Sequence, residues 1–148
     1  MIREEKKINK KALQNIPTIV QLISLDNDVL ALYGFGSISQ GVFNPLSDLD
    51  FGVLLKDDFD KSAYFDKQLE LIGLFNDIFR TDEIDLVLMN DAPLRFCYNI
   101  IKTGKLLYCR ERREIIDFQE RVIKLYLDFK YFRDSFDECF LKGVGYHG

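Results

Sequence analysis

Apolar positions recur along the chain at two spacings, helical and alternating. Between residues 13 and 25, Ile16, Ile19, Val20 and Ile23 fall at helical spacing. Pro17 interrupts that run, so the pattern predicts a helix that is short or begins near the proline, and Asp26-Asn27-Asp28 then marks a turn. Residues 29–35 are apolar and β-prone and end in Gly34-Phe35-Gly36, which predicts a buried strand entering a tight glycine turn. A short helix is expected over 37–43, closed by Asn44-Pro45, and a second strand over 48–55. Residues 60–80 read as a long amphipathic helix with Phe65, Leu69, Ile72, Phe75 and Phe79 on one face. A third strand follows over 84–89, apolar except for Asp85. Residues 93–103 read as a helix with Pro93 in its first turn and Gly104 as its stop, and 105–109 as a short strand or extended link.

Residues 112–141 predict one long helix. Ile115, Phe118, Val122, Leu125, Phe129, Phe132 and Phe136 are separated alternately by three and four residues, a heptad-like seam. Ile116, Ile123 and Tyr126 add a second stripe. One stripe can pack on the sheet. The other then needs a partner or stays exposed, unless both bury in the chain's own core. The order of elements implies an α/β fold: a small mixed sheet of three to four strands with packed helices, plus the long C-terminal helix. The expected organisation is a basic, flexible N-terminus over 1–12, a core over 13–110, the helix over 111–141 as core-packing element and docking surface, and a flexible tail over 142–148.

Composition narrows the function. The length of 148 residues suits one domain. Basic residues number 20 and acidic ones 24, so the chain lacks the charge excess of a protein that coats nucleic acid, and direct nucleic-acid binding is not expected. Cys97, Cys109 and Cys139 are too irregularly spaced for a metal knuckle and read as free thiols. His147 is the sole histidine, which leaves almost no material for a histidine-based zinc site or a Ser-His-Asp triad. No apolar run reaches membrane-spanning length and no apolar leader follows Met1, so a cytoplasmic protein is expected.

The informative stretch is Gly36-Ser37, ten residues, then Asp48-Leu49-Asp50. Alternate residues of a strand share a face, so Asp48 and Asp50 project together. Two adjacent carboxylates repel unless they share a proton or a cation, and an all-oxygen site suits Mg²⁺ carrying substrate phosphates. Asp85 is the third candidate. If its strand pairs with that of Asp50, three acids meet on one face and two metal ions become possible. The Gly36-Ser37 turn, opening a helix, offers backbone N–H groups and a hydroxyl to phosphate oxygens. Ser39 stands where a dinucleotide fingerprint would need its third glycine, and no Walker lysine follows the turn.

Gly-Ser, ten residues, Asp-x-Asp resembles the signature of the DNA polymerase beta-like nucleotidyltransferases. The stretches Ile84-Asp85-Leu86-Val87, Ile101 to Tyr108 and Tyr126-Leu127-Asp128-Phe129 resemble the minimal nucleotidyltransferase antitoxins that pair with HEPN toxins. The resemblance implies a polymerase beta-like core, two Mg²⁺ ions on Asp48, Asp50 and Asp85, and a role for Asp85 in deprotonating the attacking hydroxyl. It further implies ATP as substrate, with nucleotide contacts from Gly36, Ser37, Ser39 and Gln40. The implied reaction is transfer of AMP to a tyrosine of a separate HEPN RNase toxin, with the doubly apolar last helix as the candidate docking surface. Many relatives carry Ala-Arg-Gly where this chain has Ser39-Gln40-Gly41, so a permanent positive charge is lost. Lys102, Lys105 and Arg95 either replace it or form a solvated face. Two other readings remain: a small-molecule nucleotidyltransferase, which an acidic cleft beside Asp85 would favour, and an antitoxin that acts by contact alone.

Overall fold

The computed structural model describes residues 14–36, 38, 49–81 and 83–143, of which 139–143 by backbone alone. The elements are α1 (described over 14–24), β1 (Val29–Phe35), β2 (Leu49–Leu55), a single 3-10 turn (Lys61–Ala63), α2 (Tyr64–Phe79), β3 (Ile84–Leu88), α3 (Leu94–Thr103), β4 (Lys105–Cys109) and α4 (Arg112–Gly143). The four strands form one mixed sheet in the order β3-β2-β1-β4. β1 is antiparallel to both β2 and β4, and β2 is parallel to β3.

Strand alternation sends side chains into two cores. On one face Leu32, Phe51, Val53, Leu55, Leu86 and Leu88 pack against α1 (Ile19, Ile23) and α2 (Leu71, Phe75, Phe79). Phe51 anchors this layer, its ring 4.8 Å from that of Phe75 in an edge-on arrangement, a geometry that adds to simple burial. On the other face Ala31, Tyr33, Leu54 and Met89 pack against α3 (Cys97, Ile100) and α4 (Ile115, Val122). Gln119 of α4 donates to the Tyr33 hydroxyl at 2.7 Å, which satisfies a phenol otherwise shut away from water. Burial pushes that phenol above its ordinary pKa. Beyond the end of β3, the Asn90 side chain continues the ladder, accepting from Leu55 N at 2.8 Å and donating to Leu55 O at 2.9 Å.

Several sequence expectations are refined. Residues 14–24 are helical, and Pro17 lies in the early part of this described run. The long helix begins at Tyr64, after the 3-10 turn, and its buried positions are Lys67, Leu71, Phe75 and Phe79. Phe65 and Leu69, read as core from their apolar character, are exposed. The core stripe instead follows strict four-residue spacing, and those two side chains lie two residues, about 200° of helical turn, from its nearest members. Gly104 ends α3 with φ −79°, so it is not the left-handed cap that a helix stop suggests. It is needed for space, because a Cβ there would collide with the Ile100 carbonyl. Residues 105–109 form a true strand. The seam of α4 divides: Ile115 and Val122 bury, while Leu125, Phe129 and Phe132 are exposed, Phe132 at 69%. Cys97 and Cys109 are free thiols, and the side chain of Cys139 lies outside the described residues, as do residues 1–12 and 144–148; residues 142 and 143, expected in the tail, are helical. No described helix is long and apolar enough to cross a membrane.

Lys67 is buried, at 7% exposure, because its ammonium reaches Asp26 at 2.6 Å and Asp28 at 3.3 Å in the α1–β1 turn. Arg110 closes the same turn from β4, donating to the carbonyls of Ser24, Asp26 and Val29. Burial opposes ionisation of Asp28, but hydrogen bonds from Lys56 and Lys67 outweigh it and hold the carboxyl below its ordinary range. Burial likewise opposes the charge on Lys67, and Asp26 outweighs it, raising the lysine pKa. The stabilisation from Asp28 is therefore complete above the unfolded carboxyl pKa and is lost as pH falls through the depressed folded value. That from Lys67 is lost as pH rises through its elevated one. Lys67→Met is expected to cost about 2 kcal/mol, below the usual cost of breaking a buried pair because both partners keep contact with water. Urea denaturation at neutral pH measures this, and the gap between wild type and variant should narrow as pH falls through the depressed folded value of Asp28.

Candidate active site

The sheet order brings the predicted acids together. Asp50 of β2 is paired in register with Asp85 of β3, and across the other edge of β2 it stands opposite Phe35 of β1. Leu49, Phe51 and Val53 point into the α1/α2 core. Asp50 therefore points to the α3/α4 side, as does Asp85, which alternates with Leu86. Neighbouring strands lie about 4.8 Å apart, so the two carboxylates flank one another on one face.

Among the described residues, the covering layer stops short of them. α3 lies over Gly52, where a Cβ would stand 3.4 Å from Ile100 Cδ1 and 3.1 Å from the Met89 sulfur. One pleat nearer the strand start, Asp50 is half-buried, and Asp85 is exposed. Like charges side by side on a ladder destabilise the sheet.

The glycine turn abuts the acids. Gly36 follows directly on β1 with φ +61°, in the left-handed region. A Cβ at this position would stand 2.5 Å from Asp50 Oδ2. Glycine is thus required twice, for backbone conformation and for the approach of the turn to the carboxylate. The result is a row across three strands: Asp85, Asp50, then Phe35 and the Gly36 turn. Phe35 packs edge-on against Phe96 of α3, centroids 5.7 Å apart, a contact sequence reasoning missed because only the sheet register brings the two rings together. Ser37, Ser39, Gln40 and Asp48 lie outside the described residues.

The two described acids offer only hard oxygen donors beside a backbone turn, a donor set that fits Mg²⁺ and not a soft metal. The three candidate cations separate. Lys105 opens β4 opposite Gly34, at the turn end of the sheet, and is exposed. The Lys102 ammonium stands 5.9 Å from the centre of the Tyr98 ring. Arg95 borders a small cavity of about 230 Å³ with Tyr126, Phe129 and Arg133. Of the three, Lys105 is the one the fold brings nearest the turn along the strand register.

Comparison with known proteins gives the same outline. The family model for polymerase beta nucleotidyltransferases matches residues 17–113. Protein adenylyltransferase MntA of Aphanizomenon flos-aquae (strain 2012/KM1/D3) is 31% identical over 121 residues, covering 73% of this chain and 80% of that protein. A crystal structure of a toxin–antitoxin with AMP-PNP contains a chain similar at 26% identity, TM-score 0.64, covering 86% of this chain and 98% of that one. A structure of tri-AMPylated Shewanella oneidensis HEPN toxin in complex with MNT antitoxin holds a chain of the same fold at 24% identity, TM-score 0.62, covering 88% and 98%.

Proposed function

Because this chain belongs to the polymerase beta nucleotidyltransferase family, and within it to the MntA-type protein adenylyltransferases, we propose that it transfers AMP from ATP to a tyrosine of a HEPN RNase toxin and thereby silences it. The observation that carries this reading is the register pairing of Asp50 with Asp85, beside a glycine turn that only glycine can form. In the reaction, the tyrosine oxygen attacks the α-phosphorus, the bond to the bridging oxygen breaks, and diphosphate leaves on the opposite side. Asp85, exposed at the outer end of the row, takes the hydroxyl proton. The Gly36 turn holds the phosphates by its backbone, with Ser37, Ser39 and Gln40 in the segment that follows. Asp50 and Asp85, with Asp48, hold Mg²⁺, which when bound offsets the charge developing on the phosphate oxygens. The toxin docks on the exposed apolar half of α4, where Leu125, Phe129 and Phe132 present a surface the chain's own core leaves uncovered.

The test is intact mass of a purified HEPN partner after incubation with this protein, ATP and Mg²⁺. A gain of one or more AMP units is expected. A stable complex with no mass gain would instead favour silencing by contact alone, the reading that the missing arginine at Gln40 keeps in play.

A further inference from the structure

On the side of the row away from the glycine turn lies a second feature. A cleft of about 620 Å³ runs between the start of α2 and the start of α3, across the open edge of β3. Tyr64 and Phe65 form one wall, Phe96 and Pro93 the other, and Val87 lies at the base. Phe65 is 68% exposed and Phe96 is partly exposed, so the aromatic walls face the opening. Gln68, also on the lining, donates to the Leu86 carbonyl at 2.8 Å and so occupies an edge group that would otherwise invite another strand. Val87 is two residues on from Asp85 along the same strand face, a separation of about 6.6 Å.

We infer that this cleft is the acceptor subsite: it takes the aromatic side chain that receives AMP, together with the partner backbone next to it. The inference rests on the adenylyltransferase reading above and deepens it. The row has two ends. The Gly36 turn, suited to phosphates, lies at the β1 end, and Asp85 at the β3 end, so the nucleotide enters from the first and the acceptor from the second. A phenol ring laid against Val87 and Phe96 spans about the separation between Val87 and Asp85 and delivers its hydroxyl to the carboxylate. The walls are rings and aliphatic groups, with Lys61 and Asp91 of opposite charge at the rim. That lining suits a neutral aromatic group stacked edge to face. It does not suit a polycationic small molecule, for which an acidic cleft would be needed.

The experiment compares wild type with Phe65→Ser and with Ser62→Trp, which crowds the cleft mouth. Both positions are exposed, so the fold is retained. Two quantities are measured with the full chain: the KM for the HEPN partner in AMP transfer, and the Kd for AMP-PNP with Mg²⁺. The expected result is an acceptor KM at least tenfold higher in both variants, with AMP-PNP affinity within twofold of wild type. Weakened AMP-PNP binding with unchanged acceptor KM would assign the cleft to the nucleotide and overturn the inference. Unchanged values in both measurements would overturn it as well. Absence of transfer by wild type, with AMP-PNP still bound, would instead remove the adenylyltransferase reading and the subsite with it.

Discussion

Asp50→Asn and Asp85→Asn are each expected to lower the rate of AMP transfer by about a thousand-fold or more, a loss of ~4 kcal/mol in transition-state stabilisation. Asparagine keeps the shape of the side chain and removes the charge. What disappears is the ability to hold a divalent cation and, at position 85, to accept the hydroxyl proton. Stability should move the other way. Asp50 and Asp85 face each other across a parallel ladder, so neutralising Asp85, the exposed member, relieves a like-charge contact and its thermal midpoint should stay level or rise. Loss of activity with unchanged or improved stability is the mark of residues kept for chemistry. Initial rates on the HEPN partner, beside thermal melts of each variant, measure both halves. Transfer retained in Asp50→Asn would remove the mechanism. Asp48→Asn should behave alike if the third acid completes the set.

The second large effect is expected at a residue with no side chain. Gly36→Val should slow AMP transfer about a hundred-fold, the scale on which a displacement of about 1 Å acts in a preorganised site. The backbone there has φ +61°, which β-branched residues avoid. A Cβ would also press on Asp50 Oδ2 from 2.5 Å. The turn and the carboxylate cannot both keep their places, so one of them must shift. Gly36→Ala should fall between wild type and Gly36→Val, since it brings the same Cβ with less backbone strain. Circular dichroism should show secondary structure retained in both. Equal rates in all three proteins would mean that the approach of turn to acid has no bearing on catalysis.

Much of this was legible before any coordinates. Strand runs are short and bounded by turn residues, so β1, β2, β3 and β4 appear near their observed limits. The Asp-x-Asp spacing and the lone Asp85 in an apolar strand mark the acids, because a carboxylate in such a run needs a chemical reason. Strand pairing was not legible: nothing local says that Asp50 meets Asp85, since register is set by two cores acting on opposite faces of β2. The buried face of α2 was misread for a related reason. Phe65 and Leu69 look like core by type, whereas Lys67 is buried by two aspartates about forty residues away in sequence. The cleft was invisible too, although Phe65, two residues before the stripe of 67, 71, 75 and 79 begins, was a signal that an aromatic ring had been left outside the core. The long helix showed its seam plainly, but not the point at which the sheet ends beneath it.

That point has a consequence for the lifetime of the protein. Past Tyr126, which stacks on Tyr98 at 4.0 Å, most described side chains of α4 are exposed. Leu127, Phe129, Tyr131 and Phe132 of this stretch are exposed, so its turns are expected to open locally more often than the core does. Each opening hands extended, aromatic-rich backbone to any protease present. Whatever covers the segment suppresses those openings, so the molecule lasts longest in company. Copies in excess of a covering partner are therefore expected to be cleaved first, which limited proteolysis with and without the HEPN partner measures.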